Sequence, residues 1–195
     1  MAKLAVIPGS FNPVTRGHLD VIVRATGLFE RVQVVVVHNP EKQGLISIAD
    51  RVSLLVESLA AEGIRVQRER PGESAEAAGA DALAGADALA AGVDPGVVGV
   101  VSVAELSSGL LVEHCQRVNA DVIVKGVRSQ LDLAYEQPMA LMNREMTGIE
   151  TLFLLPDPAY AHISSTLVRQ IAASEQSLDP YVPEPVARYL QQRRG

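Results

Sequence analysis

Short apolar segments alternate with amphipathic segments along most of this chain, and this alternation restricts the possible folds more than any other feature. Residues 4–7, 121–125 and 151–155 have the length and composition of buried strands. Residues 32–37 are the clearest case, because four consecutive valines are typical of a strand covered on both faces. The pattern predicts an α/β fold, with a parallel sheet and helices on both faces. Ligands of such folds bind beyond the carboxyl ends of the strands.

Helical periodicity fills the intervals between these strands. Ser47 and Asp50 form an imperfect capping box at the start of one helix. Pro138 predicts a kink or a break in another. The predicted helices span residues 18–29, 47–59, 107–118, 131–146, 164–174 and 183–192. Residues 64–67 and 97–103 are competing candidates for the strand that precedes Leu110.

A segment of different composition interrupts the pattern at about residues 69–96. It holds ten alanines in 28 residues, and residues 79–84 repeat directly as 85–90. Two copies of six residues are too few for a solenoid. We therefore interpret residues 1–195 as a single domain that carries a low-complexity surface insertion.

Charge and composition exclude several classes of function. Seventeen basic and 23 acidic residues give a formal net charge of −6, which disfavours nucleic acid as a partner. No apolar stretch reaches the roughly 18 residues that a membrane span needs. The apolar run at residues 4–7 is too short for a signal-peptide core, and the single cysteine, Cys115, cannot form an internal disulfide. These features favour a cytoplasmic protein.

The segment between the first strand and the first helix has the composition of a phosphate site. Gly9 allows a ligand to approach the backbone closely, and Ser10 offers a hydroxyl group. His18 falls in the first turn of the helix, whose unpaired N–H groups favour anions. A helix cap with an incidental histidine is the alternative interpretation.

Three blocks of the sequence carry a resemblance to a known family. Residues 15–18, Thr-Arg-Gly-His, resemble the T-x-G-H signature of the nucleotidylyltransferase superfamily. Residues 125–144 resemble the R-G-x-R, D-x-x-Y-E and M-N-R pattern of one member family, the phosphopantetheine adenylyltransferases. Residues 160–169 are similar to that family's serine-rich nucleotide loop. The resemblance implies a Rossmann-like nucleotidyltransferase fold.

The resemblance also implies a reaction: ATP and 4′-phosphopantetheine give dephospho-coenzyme A and pyrophosphate. The acceptor phosphate is already an anion, so in-line attack needs positioning and charge stabilisation rather than a base or a covalent intermediate. The family further implies Mg²⁺ on the phosphates with no dedicated protein ligands, coenzyme A as a possible feedback ligand, and a homohexamer.

The same resemblance assigns roles to individual residues. His18 stabilises the transition state, Ser10 and Lys42 hold the attacking phosphate, and Arg128 reaches the ATP phosphates. The remaining acceptor-binding residues are expected to be Leu110, Leu111, Lys125 and Asn143. The remaining ATP-binding residues are expected to be Gly9, Phe11, Gly17, Gly126, Val127, Glu136, Tyr160, Ala161, His162, Ile163, Ser164, Ser165 and Thr166.

The sequence departs from the family pattern at three positions. Lys125 replaces an arginine and loses its two-pronged donor, Asn12 stands where the family usually has aspartate, and His162 replaces an aromatic residue. Two alternative functions remain open: a nicotinamide mononucleotide adenylyltransferase, and a nucleotide-binding regulator that has lost catalysis. A dinucleotide-binding module is disfavoured, because no G-x-G-x-x-G follows the first strand.

Overall fold

A computed structural model describes residues 4–38, 46–69 and 100–193 of the chain, and it confirms the α/β fold. Six strands form one sheet, in which every neighbouring pair is parallel. The order across the sheet is β3-β4-β2-β1-β5-β6. The strands are β1 (Leu4–Gly9), β2 (Arg31–Val37), β3 (Val66–Arg68), β4 (Val100–Leu106), β5 (Val122–Gly126) and β6 (Glu150–Leu154).

Helices follow most of these strands. In the described part of the chain they are α1 (Arg16–Thr26), α2 (Ile48–Ala61), α3 (Leu111–Arg117), α4 (Gln130–Thr147), α5 (Ser165–Ala172) and α6 (Glu184–Gln192), with a short 3₁₀ turn at Pro158–Tyr160. None of them is both long enough and apolar enough to cross a bilayer.

The position of β1 decides where a ligand can bind. β1 pairs with β2 on one side and with β5 on the other. The connections therefore leave in opposite directions from the carboxyl ends of β1 and β5, and a crevice opens between them. Gly9 and Gly126 are the last residues of these two strands, so both lie at the crevice.

The core lies on both faces of the sheet, and the side chains of β2 show why. Val32, Val34 and Val36 pack in the larger cluster, together with residues of α1, α2 and α6. Val35 packs on the opposite face with Leu4, Val6 and residues of α3. The valine run is therefore buried on both sides, as the sequence predicts, and each buried valine contributes about 1.5–3 kcal/mol to stability.

Several boundaries differ from the sequence predictions. The two competing strand segments both form strands, since β3 and β4 pair side by side. Residues 107–110 lie outside the helix predicted from residue 107, because Gly109 has a φ of 85° and α3 begins only at Leu111. Of the kink or break predicted at Pro138, the break is wrong, because α4 runs through this residue as one helix of 18 residues.

The insertion begins later than its composition suggests. Glu69 is only 8% exposed, and Gln33 Nε2 donates to both of its carboxylate oxygens at 2.8 and 2.7 Å. His114 Nε2 lies 2.7 Å from Gln33 Oε1, which completes a buried polar network. Glu69 is thus part of the folded domain. Residues 70–96 of the proposed insertion lie outside the described residues.

Candidate active site

One cavity of about 640 Å³ lies at the carboxyl ends of β1 and β5. Its walls come from the β1–α1 loop, the start of α3, the end of β5 and one side of α4. The cavity brings together many of the residues expected in the site: Gly9, Ser10, Phe11, Gly17, His18, Leu110, Leu111, Lys125, Gly126, Arg128, Glu136, Asn143 and Ile163.

His18 is held in one tautomer by the cap of α1. Thr15 is the N-cap residue, and its backbone N–H donates to His18 Nδ1 at 3.0 Å. Nδ1 is therefore an acceptor, and the proton of the neutral ring is on Nε2. Burial lowers the pKa of His18 to about 4, with a smaller contribution from the positive charge of Arg128. At neutral pH the ring is thus uncharged, and its Nε2–H is the donor available to a ligand.

At two positions in the crevice, Gly9 and Gly126, the neighbouring groups leave no room for a side chain. A Cβ at Gly9 would lie 2.8 Å from the Phe11 ring, which packs edge-on against His18 with 5.2 Å between the ring centroids. A Cβ at Gly126 would lie 3.0 Å from the nearest methyl group of Val21. Side chains at these two positions would displace the groups that shape the cavity.

Arg128 is fixed by contacts on both sides. Its Nε donates to Asp132 Oδ2 at 3.0 Å, and its Nη1 donates to the carbonyl of Ile163 at 2.7 Å. Ser129 caps α4, whose first turn contains Asp132. The guanidinium therefore lies at the cavity in a defined orientation, and it connects the start of α4 to the segment that precedes α5.

Lys125 forms an ion pair with Glu136, and Nζ lies 3.1 Å from Oε2. Both side chains are about one fifth exposed, at 20% and 19%. Arg128 bonds to Asp132, so Arg128 and Lys125 have different carboxylate partners.

The far side of the cavity is apolar. Leu110, which is 53% exposed, and Leu111 form one wall at the start of α3. The opposite wall is a face of α4. Asn143 is the polar residue of this face that lies nearest the C-terminal end of the helix. The sequence analysis assigns a role on this face to Glu136 and Asn143 and to no other residue, although positions three and four apart on one helix are a detectable signal. The missed residues of this face are Asp132, Tyr135, Met139, Ala140, Met142 and Met146.

The expected nucleotide loop lies mainly outside the cavity wall. Ser164 caps α5 by accepting from the Leu167 N–H, Ser165 Oγ donates to the carbonyl of Pro13, and Thr166 Oγ1 accepts from Arg169. His162 packs edge-on against Tyr181. The cavity wall does not include these four residues, nor Val127, Tyr160 and Ala161.

Lys42, which is expected to hold the attacking phosphate, lies outside the described residues. Cys115 is fully buried, and burial raises the pKa of its thiol to about 11, so it packs as a small apolar residue. The described residues contain no cluster of three or more His, Cys, Asp or Glu side chains that could hold a metal ion.

Comparison with known proteins identifies the family of this chain. Residues 6–171 match the family model described as cytidylyltransferase-like. The chain is 45% identical over 190 residues to a protein named phosphopantetheine adenylyltransferase from Leifsonia xyli subsp. xyli, covering 97% of this chain and 98% of that protein. A protein of the same name from Clavibacter michiganensis subsp. michiganensis is 45% identical over 195 residues, covering 100% of this chain and 99% of that protein.

Solved structures support the fold alone. A bifunctional NMN adenylyltransferase/ADP ribose pyrophosphatase from Francisella tularensis superimposes with a TM-score of 0.62 at 14% identity. The alignment covers 98% of this chain and 49% of that one, so this chain spans about half of the bifunctional protein.

Proposed function

The chain belongs to the cytidylyltransferase-like family and, within it, to the phosphopantetheine adenylyltransferases, and we propose from this premise that it transfers the adenylyl group of ATP to 4′-phosphopantetheine. The products are dephospho-coenzyme A and pyrophosphate, which places the enzyme in coenzyme A biosynthesis. The observation that carries the proposal is 45% identity over nearly the whole of both chains.

The reaction needs two polyanions held in line rather than a base. An oxygen of the acceptor phosphate attacks the α-phosphorus of ATP, and the bond to the pyrophosphate oxygen breaks. We assign to His18 Nε2–H a hydrogen bond to the α-phosphate that strengthens as charge builds in the transition state. The Nδ1 contact with the Thr15 N–H supports this role, because it holds the donor proton on the other nitrogen.

Cationic groups then bind the phosphates at the two ends of the reacting pair. We assign the ATP phosphates to Arg128, whose bonds to Asp132 and Ile163 fix its orientation in advance. Ser10 and Lys42 are assigned to the attacking phosphate, and Lys125 to the acceptor. The part of the site described by the structure supports this for Ser10 and Lys125, which line the same cavity as His18.

The remaining assignments follow the polarity of the walls. The leucines of α3 and the methionines of α4 suit the aliphatic parts of the pantetheine arm, and Asn143 suits one of its amides. Gly9, Phe11, Gly17, Gly126, Val127, Glu136 and residues 160–166 are assigned to ATP. Binding to residues 160–166 would use backbone groups, since several side chains there are engaged within the protein.

Mg²⁺ is proposed as the cofactor. The described residues provide no dedicated cage, and the Asp132 carboxylate is already bonded to Arg128. This donor set fits an ion carried by the ATP phosphates and water, because Mg²⁺ retains several waters in such sites. When bound, the ion would neutralise charge on the phosphates.

Three properties of the enzyme in the cell complete the proposal: a cytoplasmic location, a homohexamer, and coenzyme A as a feedback ligand in the acceptor half of the cavity. The homohexamer is supported by α4, in which none of the 18 residues is buried. Leu131 is 82% exposed and Leu141 49%, and both lie outside the cavity wall. A second copy of the chain is the occupant we propose for this outer face of α4.

The test is pyrophosphate release from ATP and Mg²⁺, with 4′-phosphopantetheine and nicotinamide mononucleotide as separate acceptors. Release only with phosphopantetheine is the expected result. Release only with the mononucleotide would overturn the acceptor assignment and leave the adenylyl chemistry. Binding of ATP without release in either reaction would indicate a regulator that has lost catalysis.

A further inference from the structure

The β1–α1 loop is held from behind by side chains that belong to other helices. Three of its backbone carbonyl oxygens accept hydrogen bonds from these side chains. Arg51 Nη1 donates to Ser10 O at 3.4 Å, Arg169 Nη1 donates to Asn12 O at 2.6 Å, and Ser165 Oγ donates to Pro13 O at 2.8 Å. The front of the same loop carries Ser10 and Phe11 in the cavity wall.

Arg51 is the unusual member of this set, because its guanidinium is in the protein interior. The residue is only 6% exposed, and its Nε donates to the carbonyl of Ile46 at 2.8 Å. Ile46 follows directly on the segment that contains Lys42. One side chain on α2 therefore joins the backbone of Ile46 to that of Ser10, the residue assigned to the attacking phosphate.

A second arginine stands close to the first. Burial, and then the positive charge of Arg169, lower the pKa of Arg51. Asn12 belongs to the loop, is 5% exposed, and among the described residues its Oδ1 atom has no hydrogen-bond partner. It is neutral where the family usually has aspartate. Two buried or partly buried cations thus hold the backbone of a loop that also lines the cavity, although burying a cation costs free energy.

We propose that Arg51 is a positioning residue for adenylyl transfer that fixes the backbone of Ser10 relative to Ile46 and the start of α2, while Arg169 holds the same loop at Asn12. This inference rests on the proposed function, since the attacking phosphate is the ligand assigned to Ser10. Arg51 touches no substrate itself. It acts through the Ser10 and Ile46 carbonyls, because a shift of about 1 Å in a reacting group can cost a factor of about 10² in rate.

The central variant is Arg51→Lys, which keeps the positive charge but cannot donate to two divergent carbonyls with a planar fork. Arg51→Met removes the charge, and Arg188→Met is the control, because Arg188 is exposed and pairs with Glu184 on its own helix. Each variant is compared with the wild type by steady-state kinetics, thermal unfolding, and hydrogen exchange of the peptide that covers residues 8–15.

For Arg51→Lys we expect kcat to fall about tenfold or more and the acceptor KM to rise, while the ATP KM changes by less than about twofold. The folded fraction at the assay temperature should stay at the wild-type level, and exchange in residues 8–15 should accelerate. Wild-type kcat and acceptor KM in this variant would overturn the proposal. So would a loss of kcat fully explained by a smaller folded fraction.

The same experiment separates this inference from the proposed function. If wild-type protein turns over neither acceptor, the proposed function fails, and hydrogen exchange alone decides whether Arg51 fixes the loop. Faster exchange of residues 8–15 in Arg51→Lys, but not in Arg188→Met, would support the clamp in that case. Unchanged exchange would overturn it.

Discussion

Lys125 Nζ lies 3.1 Å from Glu136 Oε2, so a residue assigned to the acceptor and a residue assigned to ATP form one ion pair in the cavity wall. Each side chain is about one fifth exposed, which limits screening by solvent. The pair keeps both charges compensated when no substrate is bound. A phosphate that approaches Lys125 must therefore compete with Glu136.

This competition gives a prediction for Lys125. Lys125→Met should raise the acceptor KM by about 10- to 100-fold, since a charge-assisted hydrogen bond to phosphate contributes about 1.5–3 kcal/mol. Lys125→Arg should lower the acceptor KM, because a planar guanidinium can bind the phosphate with two donors and retain Glu136. Steady-state kinetics with each substrate varied separately measures both effects. An unchanged acceptor KM in Lys125→Met would place the acceptor elsewhere.

The cap of α1 leads to a prediction for His18. His18→Ala should lower kcat by about 10²–10³, the cost of removing one preorganised donor to a developing charge. The ATP Kd should stay near the wild-type value if the bond strengthens only in the transition state. Calorimetry gives the Kd and pyrophosphate release gives kcat. Equal losses in ATP binding and in turnover would show instead that His18 binds the ground state.

The low pKa of His18 predicts its behaviour with pH. The unfolded chain takes up a proton near pH 6.5, whereas the folded protein does so only near pH 4. The contribution of this group to the free energy of unfolding is therefore complete above pH 6.5 and is lost as the pH falls toward 4. A ¹⁵N NMR titration should show a neutral ring protonated on Nε2 at pH 7, with a midpoint well below 6.5.

Arg128 provides the matched variant for that titration. Its charge is the smaller of the two causes of the low pKa, so Arg128→Met should move the His18 midpoint upward without restoring 6.5. His18→Ala identifies the resonance. A wild-type midpoint at 6.5 would mean that the ring is solvated and that the Thr15 contact does not hold it.

The outer face of α4 gives a prediction about assembly. Leu131→Glu should shift the protein from a larger assembly to smaller species, because a carboxylate at a buried contact carries a desolvation cost of several kcal/mol. Leu28→Glu is the control, since Leu28 is also an exposed leucine but lies beyond the end of α1. Light scattering after size-exclusion chromatography measures the mass. A wild-type monomer, or an unchanged mass in Leu131→Glu, would contradict the proposed contact.

The sequence predicts the parts of this structure that depend on neighbours along the chain. The valine run of β2 is recognisable because each residue is apolar whichever face it occupies, and Ser47 is recognisable as a cap because Asp50 is three residues away. The Thr15–His18 block can be recognised in the sequence for the same reason, since the cap residue and the histidine lie within one helical turn.

Pairings between distant elements could not be read in the same way. Glu69 is assigned to the insertion by composition, and only the approach of Gln33, 36 residues earlier, shows that it is buried. Arg128 has two acidic candidates, and the orientation of α4 selects Asp132 for it and Glu136 for Lys125. Pro138 stays within α4 because the cost of one lost backbone hydrogen bond is smaller than the sum of the bonds around it.

The insertion supplies the last prediction. β3 and β4, the strands on either side of the insertion, pair directly with Val66 opposite Val101. Deleting residues 79–90 should therefore leave the melting temperature within a few degrees of the wild type and kcat within about twofold, because shortening a connection of this length changes its closure entropy by less than about 1 kcal/mol. Calorimetry and the pyrophosphate assay measure the two quantities. A loss of solubility or of assembly after the deletion would show that the repeat packs on the domain or on a neighbouring copy, and a rise in the acceptor KM alone would show that it covers the cavity next to Leu110.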